Sequence, residues 1–472
     1  MAQLHDLTAL ELAAALKAGD TDPASAAEHY LARVDRLDGG LGAFVTVTAE
    51  AALERARHVR DRVPRTVPMW GVPFADKDLT RRAGVPARFG SRLMAAFVPA
   101  TSDEIVETLD AAGGVSLGKT STPEFGLPSY TEPLAGSPAR NPWDPSLGAG
   151  GSSGGAAVAV AAGLLPVAPG SDGGGSIRIP AAACGLVGIK PSRGRVPAGS
   201  GLTSLAGLAV AGPIARTVAD AAWLLDVMMR GAGRQPEHHY GVRAPGPEGP
   251  YRAAALADPP RLRIGVMTTS AWDDAYEIVV DPEALKVLGD TARSLDALGH
   301  DVAEVALTGS TDYAPAFRTV WQASAAAIPA DPENELLEPL TRWLIGQGRA
   351  LGARRLVDAL AALKDYERSF IAQFAGYDAI LTPALAMTPR PLGWYSDDPE
   401  QNFEQQCQYT PYTSMVNVAG LPAVVLPVGQ SSEGLPLGVQ LIGRPGGEES
   451  LVALGGQLER LIGWPRRHPP CW

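Results

Sequence analysis

Gly150-Gly151-Ser152-Ser153-Gly154-Gly155 opens the stretch that decides the fold, and Gly170-Ser171-Asp172-Gly173-Gly174-Gly175-Ser176-Ile177-Arg178 closes it. Between the two clusters runs an alanine and valine segment, Ala156 to Ala162, with no polar side chain. Such a segment predicts a buried helix, since alanine favours helix and small side chains allow close packing on a sheet. The glycine clusters then sit at its two ends, where backbone N–H groups are free to bind a ligand. Free N–H groups beside a serine hydroxyl are what acyl transfer needs: an oxyanion hole next to a nucleophile. Flexible loops are the alternative reading of the same Gly/Ser runs.

The surrounding chain is that of a large globular protein. It has 472 residues, of which 46% are hydrophobic and 19% charged, enough for an extensive core. The net charge of −11, with no lysine-rich block, argues against nucleic acid or an anionic membrane as partner. Cys184, Cys407 and Cys471 stand far apart with no CxxC pair, so neither a zinc site nor a disulfide framework is expected. With no secretory pattern at the N-terminus and no apolar run of membrane-spanning length, a cytoplasmic location is expected.

Working outward, Thr8 to Glu11 reads as a capping box, Asp22-Pro23 as the start of a second helix, and Thr48 to Arg62 as a third. Pro68 to Leu79 reads as a short apolar strand ending in Asp76-Lys77-Asp78. A lysine at the end of a buried strand loses hydration, which lowers its pKa and lets it act as a base; a surface Asp-Lys pair is the bland alternative. Strands are also expected at 115–120, 187–189, 262–267, 301–307, 378–383, 423–426 and 437–442. Helices are expected near 103–112, up to Met229, at 280–298, through 311–374, after Pro411 and up to Ile462, with a loop from Pro383 to about Gln406. The βαβ pattern predicts an α/β fold: a large twisted mixed sheet covered on both faces by helices. A single domain over 1–472 accommodates a Gly/Pro-rich surface excursion at 231–260 and a variable helical region at 311–376.

Two short motifs point elsewhere. Gly113 to Thr120 satisfies GxxxxGK[ST], but it follows a helix, and its variable positions are strand-like, so a nucleotide-binding loop is disfavoured. Gly151 to Gly155 matches GxSxG with Ser153 at its centre; an esterase elbow would then need a later histidine, His300 or His468. His300 instead reads as a structural residue at a helix end. No HExxH or similar spacing suggests a metal, and no cofactor is expected.

The region Gly150 to Arg178, continuing into Cys184-Gly-Leu-Val-Gly-Ile-Lys-Pro191, closely resembles the amidase signature family. Gly71-Val-Pro-Phe-Ala-Asp-Lys-Asp78, Gly118 to Gly126, Arg140 to Pro145, Val418 to Ala423 and Gly438 to Gly443 extend the resemblance in family order. It is weakest from about 231 to 376. The resemblance implies an amidase with Ser176 as nucleophile, Ser152 as a cis residue relaying protons, and Lys77 as base. It implies an oxyanion hole from the N–H groups of Gly173, Gly174, Gly175 and Ser176. Gly173 departs from the family, which usually carries a side chain there, and this leaves the loop freer. Ser153 is expected to support Lys77, and Asp172 with Arg178 to pair and hold the glycine loop. Leu127, Tyr130, Trp321, Tyr412 and Met415 are candidates for the substrate pocket. The expected partner is a small-molecule amide, and a homodimer is compatible with the sequence. The stretch after Arg195 resembles stand-alone amidases; the glutamine-hydrolysing subunit of a tRNA-dependent amidotransferase is the alternative.

Overall fold

The computed structural model describes residues 3–196, 204–231, 245–246, 249–309 and 311–472. Much of the expected surface excursion, at 232–244 and 247–248, lies outside the described residues. The N-terminus forms as its caps dictate. Thr8 Oγ1 accepts from the Glu11 N–H while the Glu11 carboxylate accepts from the Thr8 N–H, and Gly19 ends helix Ala9–Ala18 in the left-handed region. Asp22 caps helix Pro23–Leu37, and a third helix spans Ala49–Arg62.

β1 (Phe44–Val47), β2 (Pro73–Lys77) and β3 (Val115–Thr120) form a small sheet in the order β1-β3-β2. β2 runs parallel to β3, and β1 antiparallel to it. β4 (Arg140–Asn141) and β5 (Asp144–Gly148) make a short ribbon. The large sheet is built from β6 (Val167–Asp172), β7 (Val187–Lys190), β8 (Val210–Ala215), β9 (Arg263–Met267), β10 (Asp301–Val305), β11 (Ala379–Pro383), β12 (Ala423–Gln430) and β13 (Pro436–Gly443). Its order is β10-β9-β11-β13-β12-β7-β8-β6, parallel from β10 to β11 and antiparallel beyond. It is therefore mixed, as the sequence pattern predicts.

Two of these strands go beyond the sequence reading. β6 and β8 contain Pro169, Gly170, Gly212 and Pro213, residues that propensity assigns to turns. They pair antiparallel with Pro169 opposite Pro213 and Gly170 opposite Gly212. β6 is an edge strand, and the β7 ladder stops at Ile214, so neither proline meets a donor requirement it cannot fill. A helix at Pro399–Tyr409 also replaces part of the expected loop to Gln406. Asp398 caps it and Pro399 starts it, the same signal as at Asp22-Pro23.

Helix Gly154–Ala161 is buried along its whole length, as an apolar-all-round helix must be. Its start passes so close to the small sheet that a Cβ on Gly155 would lie 2.3 Å from the Ser121 nitrogen. Helices Tyr313–Ala326 and Ala353–Gln373 enclose a second core of aromatic residues, including Trp272, Tyr313, Phe317, Tyr366, Phe370 and Phe403. That core borders the glycine loop that follows β6.

Candidate active site

Lys77 ends β2, where the small sheet packs against β6 of the large one. Only 2% of Lys77 is exposed. Its Nζ donates to Ser152 Oγ at 2.8 Å, to Ser171 Oγ at 3.0 Å and to the Ser171 carbonyl at 3.4 Å. Among the described residues no carboxylate lies within ion-pair distance of it. Burial pushes the Lys77 ammonium down to about 7, with the Asp172 charge as the opposing influence. Such a lysine is neutral in a large fraction at neutral pH and can accept a proton.

Lys119 shows the contrast. It is as deeply buried, but its Nζ lies 3.2 Å from Asp78 Oδ1 and donates to the Thr80 carbonyl. Gly113 to Thr120 thus folds as a turn and strand β3, with its lysine already paired, and not as a phosphate loop.

Ser152 follows a cis Gly151–Ser152 peptide bond and is 2% exposed. The Ser153 N–H donates to the Ser176 carbonyl at 3.1 Å, which ties the first glycine cluster to the second. Among the described residues no hydrogen bond joins the Ser152 and Ser176 hydroxyls. Ser153 meets Ser171, not Lys77: the Ser153 and Ser171 groups exchange two bonds of 3.4 Å. Ser171, next to the edge of β6, holds Lys77 instead. Sequence reading missed it because it lies inside an unforeseen strand.

Asp172 organises the glycine loop. Its Oδ1 accepts from the Gly175 N–H at 2.7 Å and its Oδ2 from the Ile177 N–H at 3.2 Å. Arg178 donates to the same carboxylate from Nε at 2.9 Å and Nη2 at 3.0 Å, a fork-to-fork pair with both side chains fully buried. Gln440 and Asn417 accept the remaining Arg178 bonds, both at 2.6 Å. Burial alone would raise the Asp172 carboxyl; the Arg178 charge and hydrogen bonds, with Lys190 and Asn417, outweigh it and hold the carboxyl well below the usual range. The N–H groups of Gly173, Gly174 and Ser176 have no acceptor among the described residues, whereas that of Gly175 belongs to Asp172. Gly175 has φ 135°, and a Cβ there would lie 2.4 Å from Thr413 Oγ1, so no other residue fits without rearranging the loop.

A buried, unpaired lysine, serines from two glycine clusters and free N–H groups thus converge. The amidase family model matches residues 25–452. The chain belongs to the amidase family. It is 38% identical to the candidate amidase AmiB2 of Mycobacterium bovis, over 94% of this chain and 93% of that one. It is 35% identical to a glutamyl-tRNA(Gln) amidotransferase subunit of Thioalkalivibrio sulfidiphilus, over 99% of each chain. The structure of 6-aminohexanoate cyclic dimer hydrolase complexed with substrate superposes with a TM-score of 0.89 at 29% identity, covering 99% of each chain. Membership makes this an amide-hydrolysing enzyme.

The cluster borders a recess beside Gly174 and Ser176. Its walls include Leu127, Trp272, Phe317, Trp321 and Phe403. Leu127 and Trp321 therefore line it, but the other three pocket candidates do not. Tyr130 stacks on Tyr395 with ring centroids 4.0 Å apart and accepts from Asn402. Tyr412 is buried with its hydroxyl donating to the Thr268 carbonyl at 2.8 Å, and Met415 lies in the aromatic core. Trp272, Phe317 and Phe403 were missed because sequence cannot tell a core aromatic from one that borders a cavity. Trp321 also lies where a side chain at position 173 would point, 3.6 Å from a Cβ built on Gly173.

Neither His300 nor His468 forms a triad with Ser153 among the described residues. His300 is buried, with Nδ1 accepting from the Leu262 N–H and Nε2 bonded to Gln457, and His468 stacks on Trp472. No hydrogen bond joins either to Ser153 among the described residues. Cys184 packs in the main core, and burial pushes its thiol far up. No helix is long and apolar enough to cross a membrane among the described residues.

Proposed function

We propose that this amidase cleaves an uncharged or amphipathic amide through an acyl-enzyme on Ser176, with Ser152 passing protons between Ser176 and Lys77. The observation that carries the reading is the 2.8 Å contact of Lys77 Nζ with Ser152 Oγ, with no carboxylate within ion-pair distance among the described residues. Neutral Lys77 takes the Ser152 proton as Ser152 takes that of Ser176, once the Ser176 hydroxyl turns toward it. Ser176 Oγ attacks the carbonyl carbon, and the free N–H groups of Gly173, Gly174 and Ser176 bind the developing oxyanion. The proton returns through Ser152 to the leaving nitrogen, the C–N bond breaks, and water releases the acid by the same relay in reverse. No cofactor enters this scheme. A fluorophosphonate probe tests it: mass spectrometry is expected to place the adduct on Ser176, with the adduct lost in Lys77→Ala. An adduct on Ser153 overturns the scheme.

The lining of the recess favours an apolar, flat group on the substrate. Among the described residues it carries no charged side chain, so the ammonium and carboxylate of glutamine would enter it without counter-charges from them. The amidotransferase reading draws on the 35% relative that spans the whole chain. Hydrolysis of an anilide or arylacetamide with no measurable release of ammonia from L-glutamine is the expected outcome. Glutaminase activity without anilide cleavage would reverse the choice.

A further inference from the structure

We infer that Ser414 is a specificity-determining hydrogen-bond donor, and that the recess selects amides whose flat apolar group carries an acceptor atom. The inference deepens the reading of Ser176 as nucleophile and rests on it for placing substrate in the recess. A count of protons leads to it. Trp272 Nε1 carries a hydrogen and no lone pair, so its 3.0 Å contact with Ser414 Oγ is a donation to Ser414. Tyr313 is 2% exposed, and its hydroxyl lies 2.8 Å from the same oxygen. No other acceptor among the described residues takes the Tyr313 proton, and burial pushes the phenol far up, so the proton stays on it. Tyr313 therefore donates to Ser414 as well; the reverse arrangement would leave a buried phenolic proton unpaired. Both lone pairs of Ser414 Oγ are then in use, and its own proton is left over.

That proton has no acceptor among the described residues, and Ser414 lines the recess with Gly174 and Ser176. A Cβ on Gly174 would lie 3.9 Å from Ser414 Cβ, which sets the hydroxyl beside the nucleophile loop. Of the other polar side chains on the wall, Ser129 Oγ also has no hydrogen-bond partner among the described residues, whereas those of Gln406 and Thr410 are committed. Gln406 Oε1 accepts from the Ser129 N–H and its Nε2 donates to Asn402, while Thr410 Oγ1 donates to the Gln406 carbonyl. The other walls near Ser414, from Trp272, Phe317, Trp321 and Phe403, suit a ring. A ring nitrogen, carbonyl or ether on such a group would receive the Ser414 proton, where a plain hydrocarbon ring would leave it unpaired.

Calorimetry on Ser176→Ala, with phenylacetamide and its three pyridyl isomers as ligands, tests this without turnover. At least one pyridyl isomer is expected to bind about tenfold more tightly than phenylacetamide, a preference that shrinks below about twofold in Ser176→Ala/Ser414→Ala. If no isomer outbinds phenylacetamide, or if the preference survives the second substitution, the inference falls. Ser414→Ala leaves the Trp272 and Tyr313 donors without their acceptor. Should that variant not fold, Ser414→Cys keeps the side-chain volume with only a weak S–H donor, and the same loss is expected. Because binding alone is read, failure of the wild type to cleave any amide would sink the proposed function and leave this result standing.

Discussion

Lys77→Ala is expected to lower kcat/KM for the best amide substrate by about three orders of magnitude, the scale of a lost general base. The lysine is fully enclosed, its amine is bound by Ser152 and Ser171, and no carboxylate among the described residues holds its charge in place. Burial has pushed it down to about 7. The protonated form cannot accept from Ser152, so kcat/KM of the wild type is expected to fall about tenfold per pH unit below that value and to level off above it. Lys77→Arg is expected to be as inactive as Lys77→Ala, because a guanidinium does not give up its proton in this range. Lys77→Met keeps the stem and removes only the amine, so its folding serves as the control. Retention of more than about a tenth of the activity in all three variants would remove Lys77 from the chemistry, since a base is worth at least about a hundredfold.

Asp172→Asn should have the largest effect on stability. The substitution keeps shape but strips the counter-charge from Arg178, which is completely buried with Lys190 nearby. Breaking a buried pair on one side costs about 3–5 kcal/mol, because the remaining charge is left uncompensated. The neutral bonds from Arg178 to Gln440 and Asn417 remain and soften the loss. A drop of that order in the unfolding free energy from urea titration is the expected readout. The stabilisation has a defined pH window. The folded carboxyl sits below its unfolded value, so the contribution is complete above about pH 4 and declines as pH falls toward the depressed value. A second readout separates charge from packing. Asp172 is the influence that opposes the lowering of Lys77, so the acid limb of kcat/KM is expected to move to lower pH in Asp172→Asn. Unchanged stability together with an unmoved limb would show that the pair does neither job.

The sequence by itself determined the chemistry available and the frame that carries it. The Gly/Ser clusters, the apolar helix between them, the capping signals at Thr8 and Asp22, and the strand ending at Lys77 are local patterns. Local patterns follow from backbone sterics and the spacing of apolar residues, which a linear reading can see. The mixed sheet was legible for the same reason, except β6 and β8, whose prolines and glycines are tolerated only because of where the ladder ends. Tertiary structure alone decided which groups are left unpaired. It gave Lys119 a carboxylate and Lys77 none within ion-pair distance among the described residues, placed Ser171 and not Ser153 on Lys77, and assigned the Gly175 N–H to Asp172. It also brought Trp272, Phe317 and Phe403, far apart in the chain, around one recess with Ser414 among them. Burial and pairing depend on neighbours hundreds of residues away, and those neighbours set desolvation and the remaining hydrogen-bond capacity. For that reason the residue types were readable in one dimension, while their protonation, their free donors and the shape of the space they face were not.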